Sequence, residues 1–241
     1  QVAAMELDVA FLPAGDPVDV AVVIDVLRMT TTAATLLERG MQTLTIVAET
    51  GAALALAERT GALLFGERHG VAFPGFHGGN SPVEHQGRDY GGQSAILCTT
   101  NGSRAVEAVA GARAVLLGSI VNARAVARLA LSLATERITL VCAGTDGVVS
   151  LDDVLGAGCI ATEVLAARDD VLATDSARIA LELAAAPAGV EATLAKARHA
   201  DALLAIGFAE DVTLAGRRSS SAWVPRMVTR GPAVFESVHM G

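Results

Sequence analysis

Apolar positions along the chain follow two rhythms, and the change from one to the other marks most of the elements. VDVAVVIDV (18–26) is a nearly unbroken apolar run and predicts a buried strand, and TTTAATLLERG (30–40) turns to helical spacing that ends at Gly40. TLTIVA predicts a strand, and TGAALALAERTG a helix with Thr50 at its cap and Gly61 after its end. ALLFG is a short strand. SAILC, RAVLLG and RITLVC are strands, alternating with the helical patterns NGSRAVEAVAG and VNARAVARLALSLA. A helix is expected over 150–167, opening at Ser150 with acids in its first turn, and another capped by Asp175 or Ser176. Two more helical stretches reach about residue 206. The tail VPRMVTRGPAVFESV alternates around Arg-Gly-Pro and predicts a hairpin or an edge strand.

Repeated strand–loop–helix order argues for an α/β protein, a three-layer α/β/α arrangement with a largely parallel or mixed sheet. No Gly/Ser-rich linker interrupts the sequence, so one domain is expected over 1–241. Residues 67–93 form a long irregular stretch dense in Gly, Pro, His and Asn, and loops of that length are usually functional or disordered.

Composition narrows the function classes. Apolar residues make up 52% of the chain, but no run reaches the roughly 20 residues of a membrane span. The first residues, QVAAMELDVAFLPAGD, do not read as a secretory signal, and Gln1 leads us to expect a native start upstream. Cys98, Cys142 and Cys159 are too few for a disulfide framework and too scattered for zinc, which suits a cytoplasmic protein. The formal charge is -8 with no basic cluster, so neither nucleic acid nor membrane is expected as a partner. An Ala/Leu-rich surface suits a homodimer.

Chemistry concentrates where strands end. Five predicted strands run into Asp25-Val-Leu-Arg28-Met-Thr30-Thr31-Thr32, Glu67-Arg68, Thr99-Thr100-Asn101-Gly102, Ser119 with Asn122, and Gly144-Thr145-Asp146. In open α/β sheets ligands bind beyond the carboxyl ends of strands. Thr30, Thr31 and Thr32 at a helix start, with Arg28, suit an anion, and TTNGS offers a second helix start. A carboxylate such as Asp25 or Glu67, buried and unpaired, costs several kcal/mol, so each either pairs with Arg28 or Arg68 or holds a cation. Carboxylates, amides and phosphate oxygens suit Mg2+, and Asp152 and Asp153 extend that set. Cys142 at a strand end has two readings, nucleophile or packing residue. His69, His77 and His85 lie eight residues apart, which is not a zinc spacing. His199 lacks an acid at catalytic spacing. The sequence has no Walker loop, no GxGxxG after a strand and no GxSxG elbow. The residues alone therefore reach an α/β enzyme with a polar anion site, Mg2+-dependent in our reading. The alternative is a non-catalytic anion-binding or sensor protein on the same scaffold.

At these same residues the chain resembles the 2-phosphosulfolactate phosphatases. The matching segments are VVIDVLRMTTTAATLLERG, GERHG, GFHGGNSPVE, CTTNGSRAV, GSIVNARAVA and VCAGTDGVVSLDDVLGAG, with DSARIA and AIGFAEDV as weaker ones. They run in family order from about residue 6 to 236. The resemblance implies a Mg2+-dependent phosphatase that converts (R)-2-phospho-3-sulfolactate, or a related 2-phospho-hydroxy acid, to 3-sulfolactate and phosphate in coenzyme M biosynthesis. It falls on Asp25, Arg28, Thr31, Glu67, Arg68, Asn80, Ser81, Thr100, Asn101, Gly102, Asn122, Cys142, Thr145, Asp152 and Asp153. We assign catalysis to Asp25, Glu67 and Cys142, and metal binding to Asp25, Glu67 and Asp153. Substrate binding goes to Arg28, Arg68, the three threonines, Asn80, Ser81, Thr100, Asn101, Gly102, Asn122 and Thr145. Two departures stand out: His77 where the family has an acid, and Ala200 where it often has Gly.

Overall fold

A computed structural model describes residues 4–13, 19–68 and 70–241. Val18, at the start of the first predicted strand, and His69 lie outside the described residues. The chain opens with β1 (Met5–Ala10), β2 (Val20–Ile24), α1 (Met29–Glu38), β3 (Thr43–Val47), α2 (Thr50–Thr60) and β4 (Leu63–Arg68). β5 (Val71–Ala72), α3 (Pro82–Gln86), β6 (Ser94–Cys98), α4 (Asn101–Ala108), β7 (Ala114–Gly118) and α5 (Ala123–Leu133) follow. Next come β8 (Arg137–Cys142), α6 (Leu151–Ala167), β9 (Val171–Ala173), α7 (Asp175–Ala184), α8 (Val190–Leu194), α9 (Arg198–Ala205) and α10 (Ala209–Ala215). The hairpin β10 (Trp223–Arg230) and β11 (Ala233–His239) ends the chain. No helix among the described residues is long and apolar enough to cross a membrane.

All eleven strands join one mixed sheet, in the order β5-β4-β6-β3-β11-β10-β7-β2-β8-β1-β9. One parallel block contains β7, β2, β8, β1 and β9, and the other β4, β6 and β3. The C-terminal hairpin lies between them and is antiparallel to both neighbours. Of the two readings of the tail, the hairpin is the one observed, and it sits at the centre of the sheet. The edges are β5 and β9, of two and three residues. Short edges of this kind limit strand pairing with other molecules.

The three antiparallel steps from β7 to β3 leave the two blocks running in opposite senses. Twist of roughly 20–25° per strand accumulates between β2 and β6, so opposite ladder sense does not place their ends on opposite sides of the molecule. Both blocks turn apolar residues onto α1 and α4: Val23, Val115 and Val141 from one, Leu44, Phe65 and Leu97 from the other, meet Leu36, Leu37 and Val106. On the other face of the larger block, Val22, Ile24, Leu116 and Leu140 pack with Val126 of α5 and Leu155 and Ile160 of α6. Helices therefore cover both faces, which gives the three layers.

Local signals were read with mixed success. Gly61 closes α2 in the left-handed conformation, with φ of 70°. Thr50 is the first residue of that helix rather than its cap. Thr174 caps α7, its hydroxyl accepting from Ala177 N at 3.3 Å. Asp19, just before β2, anchors the opposite ends of the interior strands, away from the strand ends discussed below. Its carboxylate accepts from the N–H groups of Thr135, Glu136 and Arg137 at 2.8, 2.7 and 3.0 Å and pairs with Arg113. Burial pushes that acid up, but these hydrogen bonds outweigh it and hold Asp19 well below the usual carboxylate range.

Candidate active site

A cavity of about 620 Å³ opens where four strand ends meet. After β2 it is lined by Asp25, Leu27 and Arg28, and at the end of β4 by Glu67 and Arg68, with Gly70 just beyond. Thr99, Thr100 and Asn101 follow β6; Gly144, Thr145 and Asp146 follow β8. Asp152 and Asp153 line it from the first turn of α6, Asn80 from the segment before α3, and His199, Leu203 and Ile206 from α9 and its end. The size suits a small-molecule ligand.

Acids are concentrated and dehydrated here. Asp25 accepts from Met29 N at 3.3 Å through Oδ1, so its carboxylate caps the start of α1. Burial first, and the Asp152 charge next, push Asp25 up to about 7, against the pull of the Met29 N–H and Arg28. Asp153 Oδ1 accepts from Val26 N and Oδ2 from Gly144 N, both at 2.9 Å. Burial and the charges of Asp152 and Asp25 still raise Asp153 well above the ordinary carboxylate range. Asp152 is raised by burial, although the Ser150 hydroxyl donates to it. The Asp152 charge raises both Asp25 and Asp153, and three buried carboxyls this close cannot all ionise without a compensating cation.

Opposite these acids stand unpaired donors and acceptors. No side-chain oxygen caps the first turn of α4, which begins at Asn101. Asn80 Oδ1 and Thr99 Oγ1 are buried and have no hydrogen-bond partner among the described residues. Buried polar atoms without partners are uncommon and call for a ligand or water. Arg28 is itself buried, with Nη1 2.8 Å from Asp211 Oδ2, Nη2 2.9 Å from Gly70 O and its guanidinium 4.4 Å over the Phe208 ring. Arg68 is exposed at the rim.

A family model described as 2-phosphosulpholactate phosphatase matches residues 9–230. The chain belongs to the 2-phosphosulfolactate phosphatase family. A protein from Deinococcus radiodurans named probable 2-phosphosulfolactate phosphatase is 47% identical over 226 residues, covering 93% of this chain and 94% of that one. Proteins of the same name from Carboxydothermus hydrogenoformans and Thermus thermophilus are 39% and 41% identical, over 238 and 215 residues. Those matches cover 97% and 88% of this chain, and 98% and 89% of the two relatives. The chain is accordingly an enzyme of the phosphoric monoester hydrolase class.

The family's segments converge unevenly. Asp25, Glu67, Asp153, Arg28, Arg68, Asn80, Thr100, Asn101 and Thr145 all line the cavity. Gly102 lies directly behind Asp25: a Cβ there would stand 2.7 Å from Asp25 Oδ2. The threonine triplet does not reach the cavity. Thr30 Oγ1 donates to Asp25 O, Thr31 Oγ1 to Val26 O and Thr32 Oγ1 to Asn80 O, and all three residues are fully buried. They fasten the β2–α1 junction from beneath instead of supplying anion donors. The fifth strand end, after β7, is also structural. Asn122 accepts from Ser119 N and donates to Trp223 O, tying β7 to the hairpin. Ser81 caps α3 and donates to Asp211.

Cys142, read from the sequence as a catalytic candidate, is placed in the core. It is fully buried at the end of β8, opposite Ile24 of β2. Burial, with the charges of Asp153 and Asp152, pushes its thiol well above the usual cysteine range. Only the thiolate is nucleophilic, and this environment disfavours it. Cys142→Ala is expected to keep kcat/KM within about threefold of the parent and to lose about 1 kcal/mol of stability, the centre of the range for single substitutions. Steady-state kinetics beside urea unfolding checks both; a loss of turnover on the order of 10³-fold would restore Cys142 to the mechanism.

Sequence reasoning missed Asp211, the partner of Arg28, although it lies in the weakly matching segment AIGFAEDV. It also passed over His199, which reaches the cavity from α9, 46 residues beyond Asp153. Neither departure from the family pattern lines the cavity, and His77 is exposed. His77 Nδ1 accepts from Leu64 N at 3.0 Å, and Ala200 is fully buried.

Proposed function

We propose that this cavity hydrolyses the phosphate monoester of (R)-2-phospho-3-sulfolactate, or of a closely related 2-phospho-hydroxy acid, with Mg2+ held among its acids. The observation that carries the reading is the meeting of Asp25, Asp152 and Glu67 with the uncapped start of α4 and the unpartnered Asn80 Oδ1 and Thr99 Oγ1. A dianionic ligand with an accompanying cation completes both halves of that set. The names borne by the relatives point to the same substrate.

Among the described residues no three His, Cys, Asp or Glu side chains form a ready-made metal cage. Mg2+ does not require one, because it keeps several waters and takes only one or two carboxylates plus phosphate oxygens. The donors are all hard oxygens, and the Asn80 Oδ1 is a free acceptor, so the residues fit the ion. Asp25 and Glu67 would hold it; Asp153 serves the backbone, since each of its oxygens already accepts an N–H. Bound there, the ion would acidify a water and neutralise charge on the phosphoryl oxygens.

The remaining groups bind and orient. Water oxygen bonds to phosphorus, the bond from phosphorus to the substrate's C2 oxygen breaks, and that oxygen takes up a proton. Arg28 and the first N–H groups of α4 face the phosphoryl oxygens, where charge develops in the transition state. Arg68 at the rim takes the sulfonate or carboxylate.

Protonation of Asp25 gives a test of the metal independent of turnover. Its folded value of about 7 exceeds the usual 3.8, so the neutral form is favoured in the fold. The stability it contributes is complete below about pH 4 and falls away as pH rises towards 7. Mg2+ binds the ionised form and should restore what is lost. At a concentration 100 times its Kd, the ion is expected to raise Tm by about 5–10 °C at pH 7.5, and by much less at pH 5. Equal shifts at both pH values, or none at either, would remove Asp25 from the metal site.

A further inference from the structure

We propose that Asp211 is a positioning residue that sets the enzyme's grip on the substrate's phosphate by aiming Arg28. The inference rests on the reading of the cavity as a phosphate site. Asp211 lies on α10 outside the cavity lining, and its side chain is 1% exposed. Its two oxygens serve three donors from two separate segments. Arg28 Nη1 reaches Oδ2 at 2.8 Å; Ser81 Oγ and Val83 N reach Oδ1 at 2.6 and 3.3 Å.

A hydrogen-bonded chain results. Glu67 Oε2 accepts from Gly70 N at 2.6 Å, Gly70 O accepts from Arg28 Nη2, Arg28 donates to Asp211, and Asp211 accepts from Ser81. Ser81 is the neighbour of Asn80, whose Oδ1 is unpartnered and whose side chain lines the cavity. One carboxylate thus fixes two cavity walls, the guanidinium and the Asn80 amide.

Stability alone does not account for this arrangement. A buried ion pair is often no more stable than apolar residues of the same volume, so its presence calls for another role. Charge does not account for it either, because Asp211 cancels the charge that Arg28 would offer an anion. What remains is direction. A guanidinium carries five N–H donors in a rigid plane. Asp211 and Gly70 O take two of them, and the Phe208 ring lies against one face of the plane. The plane cannot turn, so the three N–H groups that have no partner among the described residues keep one orientation. A ligand then meets donors already in place and does not have to order them.

The test uses inorganic phosphate as the probe, titrated calorimetrically in the presence of Mg2+ into the full chain. Four proteins are compared: parent, Asp211→Asn, Arg28→Lys and the double variant. Asp211→Asn is expected to weaken phosphate about tenfold in the parent background and less than twofold when Arg28 is already Lys, which has no plane to aim. A merely structural role would give the same loss in both backgrounds, and that result overturns the proposal. So does unchanged or tighter binding by Asp211→Asn. If the parent binds no phosphate, the site reading falls and this inference with it; binding that ignores Asp211 removes the inference alone. Phe208→Leu serves should Asp211→Asn not fold. It removes the ring beneath the guanidinium and is expected to weaken phosphate several-fold with Arg28 present and not with Lys; equal effects in both would again overturn the proposal.

Discussion

Asp25→Asn is expected to lower kcat by about 10³-fold while leaving the protein folded and slightly more stable above pH 7. Asn matches Asp in shape, and its carbonyl oxygen can still accept from Met29 N, so α1 keeps its start. What disappears is one of the charges gathered at the cavity floor. Without a cation that charge is a burden on the fold: burial and Asp152 raise Asp25 to about 7, so above that pH the ionised form costs stability. The apo variant should therefore melt a few degrees above the parent at pH 8, whereas at pH 4 the two should match. On the reading proposed above the same charge would draw a cation to the phosphate, and losing an electrostatic contributor of this kind typically costs 10²–10³-fold or more in kcat. Opposite signs for stability and turnover mark a functional charge; a variant that is destabilised and yet fully active would show Asp25 to be structural. Thermal melts at the two pH values beside steady-state rates read out both.

Gly102→Ala is the second large effect, and it acts through the same carboxylate. The backbone angle at Gly102 is one that any residue adopts; the constraint is space. An added Cβ would lie 2.4 Å from Met29 Cε, 2.7 Å from Asp25 Oδ2 and 3.1 Å from Met29 Cβ. The Met29 methyl group can swing aside, since it ends a flexible chain. Met29 Cβ is fixed to α1 and cannot. Asp25 must therefore turn, breaking its contact with Met29 N, or α4 must move away and take Thr100 and Asn101 with it. Overpacking of this sort costs roughly 1–3 kcal/mol of stability. The larger consequence is for turnover, because a displacement of about 1 Å at a reacting centre can cost 10²-fold. A fall in kcat of about 10²-fold with Tm lowered by no more than about 10 °C is expected. Turnover within threefold of the parent would mean that the Asp25 position is not critical.

These two residues also show what could be read from the sequence and what could not. The strand–helix rhythm, the acid at the end of β2 and the glycine at the start of α4 are local features, and the segments containing them were enough to place the family. The fate of the threonine triplet was not local. A threonine hydroxyl near a helix start can turn outward to a ligand or back to a carbonyl a turn away, and spacing does not distinguish the two. α1 packs on the sheet face across the hairpin and is buried over Met29–Leu37, so its hydroxyls had only the backbone and Ser119 to bond. The Arg28–Asp211 pair spans 183 residues, which no motif spacing can reveal. The hairpin's alternating pattern was legible, but alternation is the same for a strand at the edge and one between two blocks. β1, with Glu6 and Asp8 alternating against buried Met5, Leu7 and Val9, was not predicted, because that segment was weighed only as a possible secretory signal.

The central claim is that the acids around Asp25 form the catalytic centre of a metal-assisted phosphomonoesterase. Its most direct test is phosphate release from (R)-2-phospho-3-sulfolactate, measured for the parent with chelator, the parent with Mg2+ and Asp25→Asn with Mg2+ in one experiment. The account predicts many turnovers by the parent with Mg2+, and near-background release in the other two. Full activity in chelator, equal rates for parent and variant, or no release by the parent with Mg2+ would contradict it.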